Sequence, residues 1–368
     1  MKKISSSILI VFLVAIISFF SLCYIFVPER DFSENENRIL QSFPSFNINK
    51  LLNGDFSRQL HNYLADQIAL RDRMIELKAL CEIAMGKQEN NGILLCDDGY
   101  LIESCNYTDS NYKYLENNLL KIEGVISKLE KSGACAVSLI VPRKIDVLED
   151  KLPLIYSTEL NNMVWKHVGG KHISLIDEFS ASQNAFYKTD HHWTNDGAYI
   201  AYRTLAEPLD FSPLPKKSFG EELLSNEFYG TSYSKSGFFF VAPDSILCPM
   251  VDIKKYKTEI VDTGRKLDGI LDRNYLSKKD KYSVFLSGNN AHVRIKDTSN
   301  NDKETLLIIK DSYAHSLAPF LLEHYNIELI DPRYYSGSIE KYISENGIKN
   351  VLFLFGLDTL ATANLSIR

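Results

Sequence analysis

Histidine and tryptophan are scarce in this chain, at 8 and 2 of 368 residues. No Lys/Arg-rich run is present and the formal net charge is −6, so nothing in the charge pattern points to nucleic acid. No C-x-x-C and no Cys/His spacing suited to zinc occurs, which removes thioredoxin-like redox chemistry and zinc modules. The six cysteines are Cys23, Cys81, Cys96, Cys105, Cys135 and Cys248. Cys23 falls in an apolar N-terminal run, which leaves an odd number elsewhere. Cys96 and Cys105 could pair across a hairpin, but a domain of this size does not need a disulfide, and the cysteines read as structural. The composition, 45% hydrophobic and 24% charged, is that of a folded protein with one large domain plus an appendage, or two domains. Tyrosine and phenylalanine, 20 each, fit an aromatic core first and a sugar-binding surface second.

Lys2 and Lys3 precede an uncharged stretch from Ile8 to Val27, long enough to cross a bilayer as a helix. The two lysines favour a cytoplasmic N-terminus. Pro28 ends the helix, and Glu29, Arg30 and Asp31 restore polarity. A cleaved signal peptide is the rival, but no small-x-small pair stands before a plausible cleavage site. An uncleaved signal-anchor over residues 1–28 is therefore expected, with the rest of the chain outside the cytoplasm; a cleaved signal would make it secreted.

Residues 29–50 read as an extended polar stalk. From about Leu51 to Met85, apolar residues recur at three- and four-residue steps, the mark of a helical entry segment whose charges, Arg71-Asp72-Arg73 among them, form a solvated face. Residues 29–90 are thus read as stalk and entry segment, and 91–368 as the main domain. Within it, Gly92–Leu95 and Tyr100–Ile102 flank an Asp97-Asp98-Gly99 turn as a hairpin. Asn111–Lys131 is an amphipathic helix and Ala136–Val141 a buried strand. A helix over Thr158–Val168, a strand over His172–Ile176 and a helix from Asn195 to Leu205 follow. Residues 207–280, rich in Pro and Gly with Phe238-Phe239-Phe240, look like an irregular insertion able to form a lid or groove. Strands at Tyr282–Leu286, 306–309, 327–330 and 351–355 alternate with helices at His315–Tyr325 and 337–346. Such alternation predicts an α/β layer fold with a mainly parallel sheet, whose ligands sit beyond the strands' C-terminal ends.

The chemistry concentrates in Tyr187-Lys188-Thr189-Asp190-His191-His192-Trp193-Thr194-Asn195. A carboxylate beside an imidazole fixes its tautomer and stabilises its protonated form. A nucleophile should complete the set. Ser312, directly after the strand 306–309, is the candidate, because helix N-terminal N–H groups there could stabilise an oxyanion; its bland reading is a helix cap. In an extended loop, residues two apart point the same way, which pairs Asp190 with His192 and leaves His191 for packing or substrate contact. Asp190, His191 and His192 could instead hold a metal, although no further ligand cluster completes the shell. Arg333 suits a substrate anion or a salt bridge with Asp331. Asn289 suits an oxyanion or a turn.

Asp190-His191-His192-Trp193 resembles the motif for which the DHHW protein family is named. Phe32-Ser33-Glu34, Glu36-Asn37-Arg38, Asp66-Gln67 and Arg71-Asp72 look like its N-terminal signature. Ile309-Lys310-Asp311-Ser312-Tyr313-Ala314 and Asp331-Pro332-Arg333-Tyr334-Tyr335 look like its C-terminal ones. That family is similar to the alginate O-acetyltransferase-like proteins of the SGNH-hydrolase superfamily, which carry Asp-x-His-Trp before the nucleophilic serine. Here Lys310-Asp311 precede the serine, where related enzymes often have Gly and a small polar residue. The resemblance implies an SGNH-like three-layer fold and extracytoplasmic O-acyl, chiefly acetyl, transfer to or from a cell-envelope or secreted polysaccharide. It implies Ser312 as nucleophile, His192 as base and Asp190 as orienting group, with His191, Trp193, Asn289, Tyr313 and Arg333 as substrate or oxyanion candidates. No metal or soluble cofactor is expected, and a multi-span membrane partner would deliver the acetyl group. The rival is a non-catalytic polysaccharide-binding surface protein on the same fold; a metal-dependent phosphoesterase is a third reading.

Overall fold

The computed structural model describes residues 2–104, 106–153, 164–168, 172–250, 255–300 and 302–367. Contacts divide the chain into two compact units: residues 1–90 with 237–240, and residues 91–236 with 241–368.

The larger unit is built on an eight-stranded sheet. Its strands are β1 (Cys135–Val141), β2 (Ile173–Ser174), β3 (Tyr256–Ile260), β4 (Arg265–Asp268), β5 (His292–Asp297), β6 (Thr305–Lys310), β7 (Asn326–Ile330) and β8 (Asn350–Gly356). They lie in the order β4-β3-β5-β7-β6-β8-β1-β2. The pairings β7–β6, β6–β8, β8–β1 and β1–β2 are parallel, and β4, β3 and β5 extend one edge antiparallel. This is an α/β fold with a mostly parallel sheet. Strand β6 shows why. Leu306, Leu307, Ile308 and Ile309 are all fully buried, as expected where both faces are covered. Leu306 and Ile308 enter one core with helices α2 (Asn195–Thr204) and α3 (Ala314–Leu321). Leu307 and Ile309 enter a second with α1 (Asp109–Lys131), α4 (Ile339–Asn346) and α5 (Leu357–Thr362). The alternation is the pleat's period of two.

Helix α1 lays Leu115, Leu119, Ile122, Ile126 and Leu129 on the core, the face its spacing predicted. Its buried Asn118 donates to the carbonyls of Leu360 and Ala363 and accepts from the Leu365 amide, so one amide side chain seats the C-terminal segment. The hairpin pairs Ile93–Leu95 with Leu101–Glu103, turning through left-handed Asp98 and Gly99.

Several expected elements differ. Tyr282–Leu286 is not a strand: Lys281–Val284 is a short 3₁₀ turn, and Leu286, Ser287 and Gly288 all have positive φ, which no strand sustains. The strand expected over His172–Ile176 shrinks to β2, and a helix starts at Ile176. The stretch 207–280, read as an insertion, holds a hairpin of Glu222–Phe228 with Asp244–Cys248 and then supplies β3 and β4 to the central sheet. Strand β5 was not anticipated; His292, Arg294 and Lys296 interrupt its apolar pattern. Most of the helix expected over Thr158–Val168 lies outside the described residues, and Cys96, open to a disulfide from the sequence, is a free buried thiol.

In the smaller unit, a helix spans Lys2–Phe26, and its segment Ile8–Phe26, of mean hydropathy 2.9, is long and apolar enough to cross a membrane. The helical pattern of 51–85 is three helices, Ile48–Leu52, Asp55–Gln67 and Arg71–Ala84, broken at left-handed Gly54 and Leu70. The preceding residues are not a free stalk. Phe32–Ser33 pairs with Arg38–Ile39, and Arg38 grips the buried Asp66 through two nitrogens at 2.5 and 3.0 Å. Arg71 holds Glu36 in the same forked way at 2.8 and 3.0 Å. Arg71 is thus bound within the fold, whereas Arg73 stays on the solvated face with 80% of its side chain exposed. The Arg38 hydrogen bonds hold the Asp66 carboxyl below its ordinary value.

Candidate active site

The Asp190–Trp193 loop is closed at its base. Phe186 bridges Trp193, the Thr194 amide donates to the Ala185 carbonyl at 2.9 Å, and the Thr194 hydroxyl caps α2. Gly197 permits this closure, because a Cβ there would sit 2.3 Å from the Ala185 oxygen. Trp193 is fully buried and donates from Nε1 to Ser316 Oγ on α3 at 2.8 Å. It is a core pin between loop and helix, not a surface for substrate.

Asp190 lies at the bottom of the site, 2% exposed. Its Oδ1 meets His192 Nδ1 at 2.5 Å and also accepts the His192 amide at 3.0 Å. Its Oδ2 accepts the Thr231 amide at 2.7 Å and the Thr231 hydroxyl at 3.0 Å. Burial alone would raise the Asp190 carboxyl, but His191, His192 and these donors hold it well below its usual value. Gly230 lets the Thr231 turn pass over the carboxylate: a Cβ there would fall 2.2 Å from Asp190 Cβ. On the other side of the ring, His192 Nε2 lies 2.7 Å from Ser312 Oγ. The imidazole is stacked on Tyr282 at 3.9 Å and 15° between planes, and Tyr282 is fixed in turn by a 3.0 Å bond to Ser316.

Ser312 lies half-buried in the short turn between β6, which ends at Lys310, and α3, which starts at Ala314. Asp311, before it, accepts the Tyr313 amide at 3.1 Å and the Gly356 amide at 2.7 Å, binding the start of α3 to the end of β8. With Nδ1 committed to a carboxylate, His192 presents Nε2 to the serine. That arrangement can take the hydroxyl proton as the oxygen attacks a carbonyl and return it to a leaving group.

The remaining candidates divide. Tyr313 donates its hydroxyl to the His191 carbonyl at 2.8 Å, and His191 Nδ1 lies 2.8 Å from Thr231 Oγ1. Arg333 is spent on Asp331 through Nε at 2.9 Å and Nη2 at 2.6 Å, the salt bridge rather than the substrate role. Asn289 is exposed after the left-handed turn and, among the described residues, makes no hydrogen bond to Asp190, His192 or Ser312. Asp190, His191 and His192 can bring three ligand atoms within 4.8 Å of one another. Both His192 nitrogens already face Asp190 and Ser312, so a metal there would have to break that chain.

Residues that sequence reasoning missed hold the loop. Lys144, 4% exposed just beyond β1, donates to the carbonyls of Tyr187 at 2.9 Å and Lys188 at 3.0 Å. Burial lowers its amine to about 8. Asp244 accepts the amides of Lys188 at 2.8 Å and Thr189 at 2.7 Å. No local pattern marks either one; only a lysine at the end of an apolar strand was a weak signal.

These features define an α/β protein with an aspartate–histidine–serine hydrogen-bond chain at the C-terminal edge of a mostly parallel sheet. The chain belongs to the DHHW protein family, whose model matches residues 119–330. It is 27% identical over 192 residues to a protein of Pseudomonas fluorescens named as a probable alginate O-acetylase, AlgJ, covering 48% of this chain and 49% of that one. A protein of the same name from Pseudomonas syringae pv. tomato matches at 27% over 186 residues, covering 45% and 46%. The chain thus spans about half the length of these curated relatives. Among solved structures, a DHHW family protein from Eubacterium siraeum superposes with a TM-score of 0.61 at 21% identity, covering 75% of this chain and 94% of that one. Bacillus cereus PatB1 does so at 0.60 and 20%, covering 75% and 99%, and one of its structures carries a sulfonyl adduct. These likenesses establish the fold.

Proposed function

We propose that this chain is an SGNH-like, membrane-anchored O-acyltransferase that moves acetyl groups to or from a polysaccharide outside the cytoplasm. Ser312 is the nucleophile, His192 its base and Asp190 the group that orients and charges-balances the imidazole. The observation that carries this reading is the continuous chain at 2.5 and 2.7 Å from a buried carboxylate through one imidazole to a serine hydroxyl. In the first half-reaction Ser312 Oγ loses its proton to His192 Nε2 and bonds to the acyl carbon, and the donor leaves with that proton. In the second, a sugar hydroxyl or water gives its proton to His192, attacks the same carbon, and Ser312 regains its hydrogen. The curated relatives' printed name, alginate O-acetylase, supports a polysaccharide acceptor. The apolar helix over Ile8–Phe26 supports an anchor. One such helix cannot carry acetyl groups across a membrane, so a multi-span partner supplies them.

The test uses the full-length chain in detergent with a chromogenic acetyl ester, with and without a short glycan. Ester turnover should fall by about 10³-fold or more in Ser312→Ala and His192→Ala, with circular dichroism unchanged. Turnover that survives Ser312→Ala would overturn the assignment.

A further inference from the structure

His191 stands next to the proposed base yet takes no part in the two half-reactions. Its ring lies over that of His192, centroids 3.9 Å apart and planes 35° apart. Its Nδ1 meets Thr231 Oγ1 at 2.8 Å. The protons of this contact can be counted. A carboxylate only accepts, so the Thr231 hydroxyl must give its single hydrogen to Asp190 Oδ2. Toward His191 the same oxygen can then only accept, and Nδ1 must carry the proton. The neutral ring, its pKa pushed down to about 4 by burial and by His192, has Nε2 left bare. Among the described residues no donor reaches that nitrogen, and 37% of the side chain is exposed.

The ring lines a small cleft of about 50 Å³ together with Glu103, Tyr107, Arg143, Tyr313 and Asp358. Carboxylates, a guanidinium and phenols suit hydroxyl-rich ligands better than apolar ones.

We propose that His191 Nε2 is a hydrogen-bond acceptor for a second hydroxyl of the acyl acceptor, so that the site selects molecules bearing two neighbouring hydroxyls. This rests on the acyl-transfer reading above. The attacking hydroxyl must give its proton to His192 Nε2, so it cannot also be held by His191. The neighbouring hydroxyl on the same sugar ring donates to His191 Nε2, and the two stacked imidazoles read a vicinal diol. Asp190 therefore sets both rings: directly for His192, and through the Thr231 hydroxyl for His191.

The test compares cis-1,2-cyclohexanediol with cyclohexanol as acceptors from an acetyl ester, using the full-length chain. The diol should be acetylated about tenfold faster per molecule, the worth of one hydrogen bond to a site built for it. His191→Phe keeps a stacking ring but removes the acceptor, and should cut the ratio to the factor of about two expected from two equivalent hydroxyls, whereas His191→Gln should restore part of the preference. Nitrogen-15 NMR of the imidazoles should find His191 protonated at Nδ1 and bare at Nε2. An Nε2–H tautomer, or a diol preference that persists in His191→Phe, would overturn the inference while leaving the acyl-transfer reading standing. Absence of any Ser312 acylation would overturn both.

Discussion

Two buried aspartates near the sheet's C-terminal edge, Asp190 and Asp331, start from similar positions and end differently. Asp190 is 2% exposed and Asp331 0%. Asp331 is saturated by fixed cations: Arg333 takes both its oxygens, and Lys310 Nζ adds a contact at 3.3 Å while also meeting His315 Nε2 at 2.8 Å. That cluster welds β6 to β7. Asp190 is bound by groups that still have a second end. His192 passes from the carboxylate to Ser312, and Thr231 passes to His191. An imidazole bound at one nitrogen can still accept a proton at the other, whereas a guanidinium carries only donors and accepts none. Burial and an acid do not make a reactive site; a partner with an unspent nitrogen does.

The largest effect should come from Asp190→Asn. It keeps the shape but lets the wrong His192 tautomer form and turns an NH2 group toward buried donors, so ester turnover should fall by about 10³-fold or more and thermal stability should fall as well. A loss under tenfold would remove Asp190 from the mechanism. A smaller loss is expected at the loop's supports. Lys144→Met strips the donors from the Tyr187 and Lys188 carbonyls, two residues before the acid, and should lower kcat about 10- to 100-fold with KM nearly unchanged. An unchanged kcat would mean the loop holds its place without that amine. Arg333→Ala should reverse the balance: stability should drop by about 3 kcal/mol as Asp331 loses its forked partner, while turnover per folded molecule stays within about threefold. A turnover collapse there would restore Arg333 as a substrate residue.

An effect on stability alone, confined to acid pH, concerns Asp358, whose carboxyl burial raises to about 6 and which accepts the Tyr107 hydroxyl. An acid with a raised folded-state value binds its proton more tightly when folded. Its contribution is present at low pH and is lost as the pH rises from about 4 to about 6, on the order of 3 kcal/mol at most. Asp358→Asn should abolish that decline in chemical denaturation; an identical slope in both proteins would place the titration elsewhere.

Much of this contrast was legible from residue order. Ser312 follows the most apolar strand, so its place at the sheet edge follows from an α/β alternation. The pairing of Asp190 with His192 was expected from an extended loop, but the residues are a bend closed by the His192 amide on Asp190 Oδ1, and His191 stacks on His192 instead of facing away. The helices α1 and α4 and strands β1, β6, β7 and β8 carried plain periodicity. Strands β3, β4 and β5 did not, because charged residues on an antiparallel edge break the apolar run. Trp193 was misjudged for a related reason: a motif tryptophan looks functional, but only the fold reveals that its indole N–H is spent on Ser316. Lys144, Thr231 and Asp244 were invisible, since each reaches the loop from a distant segment and no spacing encodes such a contact.

The most direct measurement is the mass of the intact full-length chain after brief exposure to an acetyl ester, followed by peptide mapping. The account predicts one added acetyl on Ser312, absent in His192→Ala and discharged when a glycan acceptor is supplied. No adduct on Ser312 in a folded sample, or an adduct that forms equally well without His192, would contradict it.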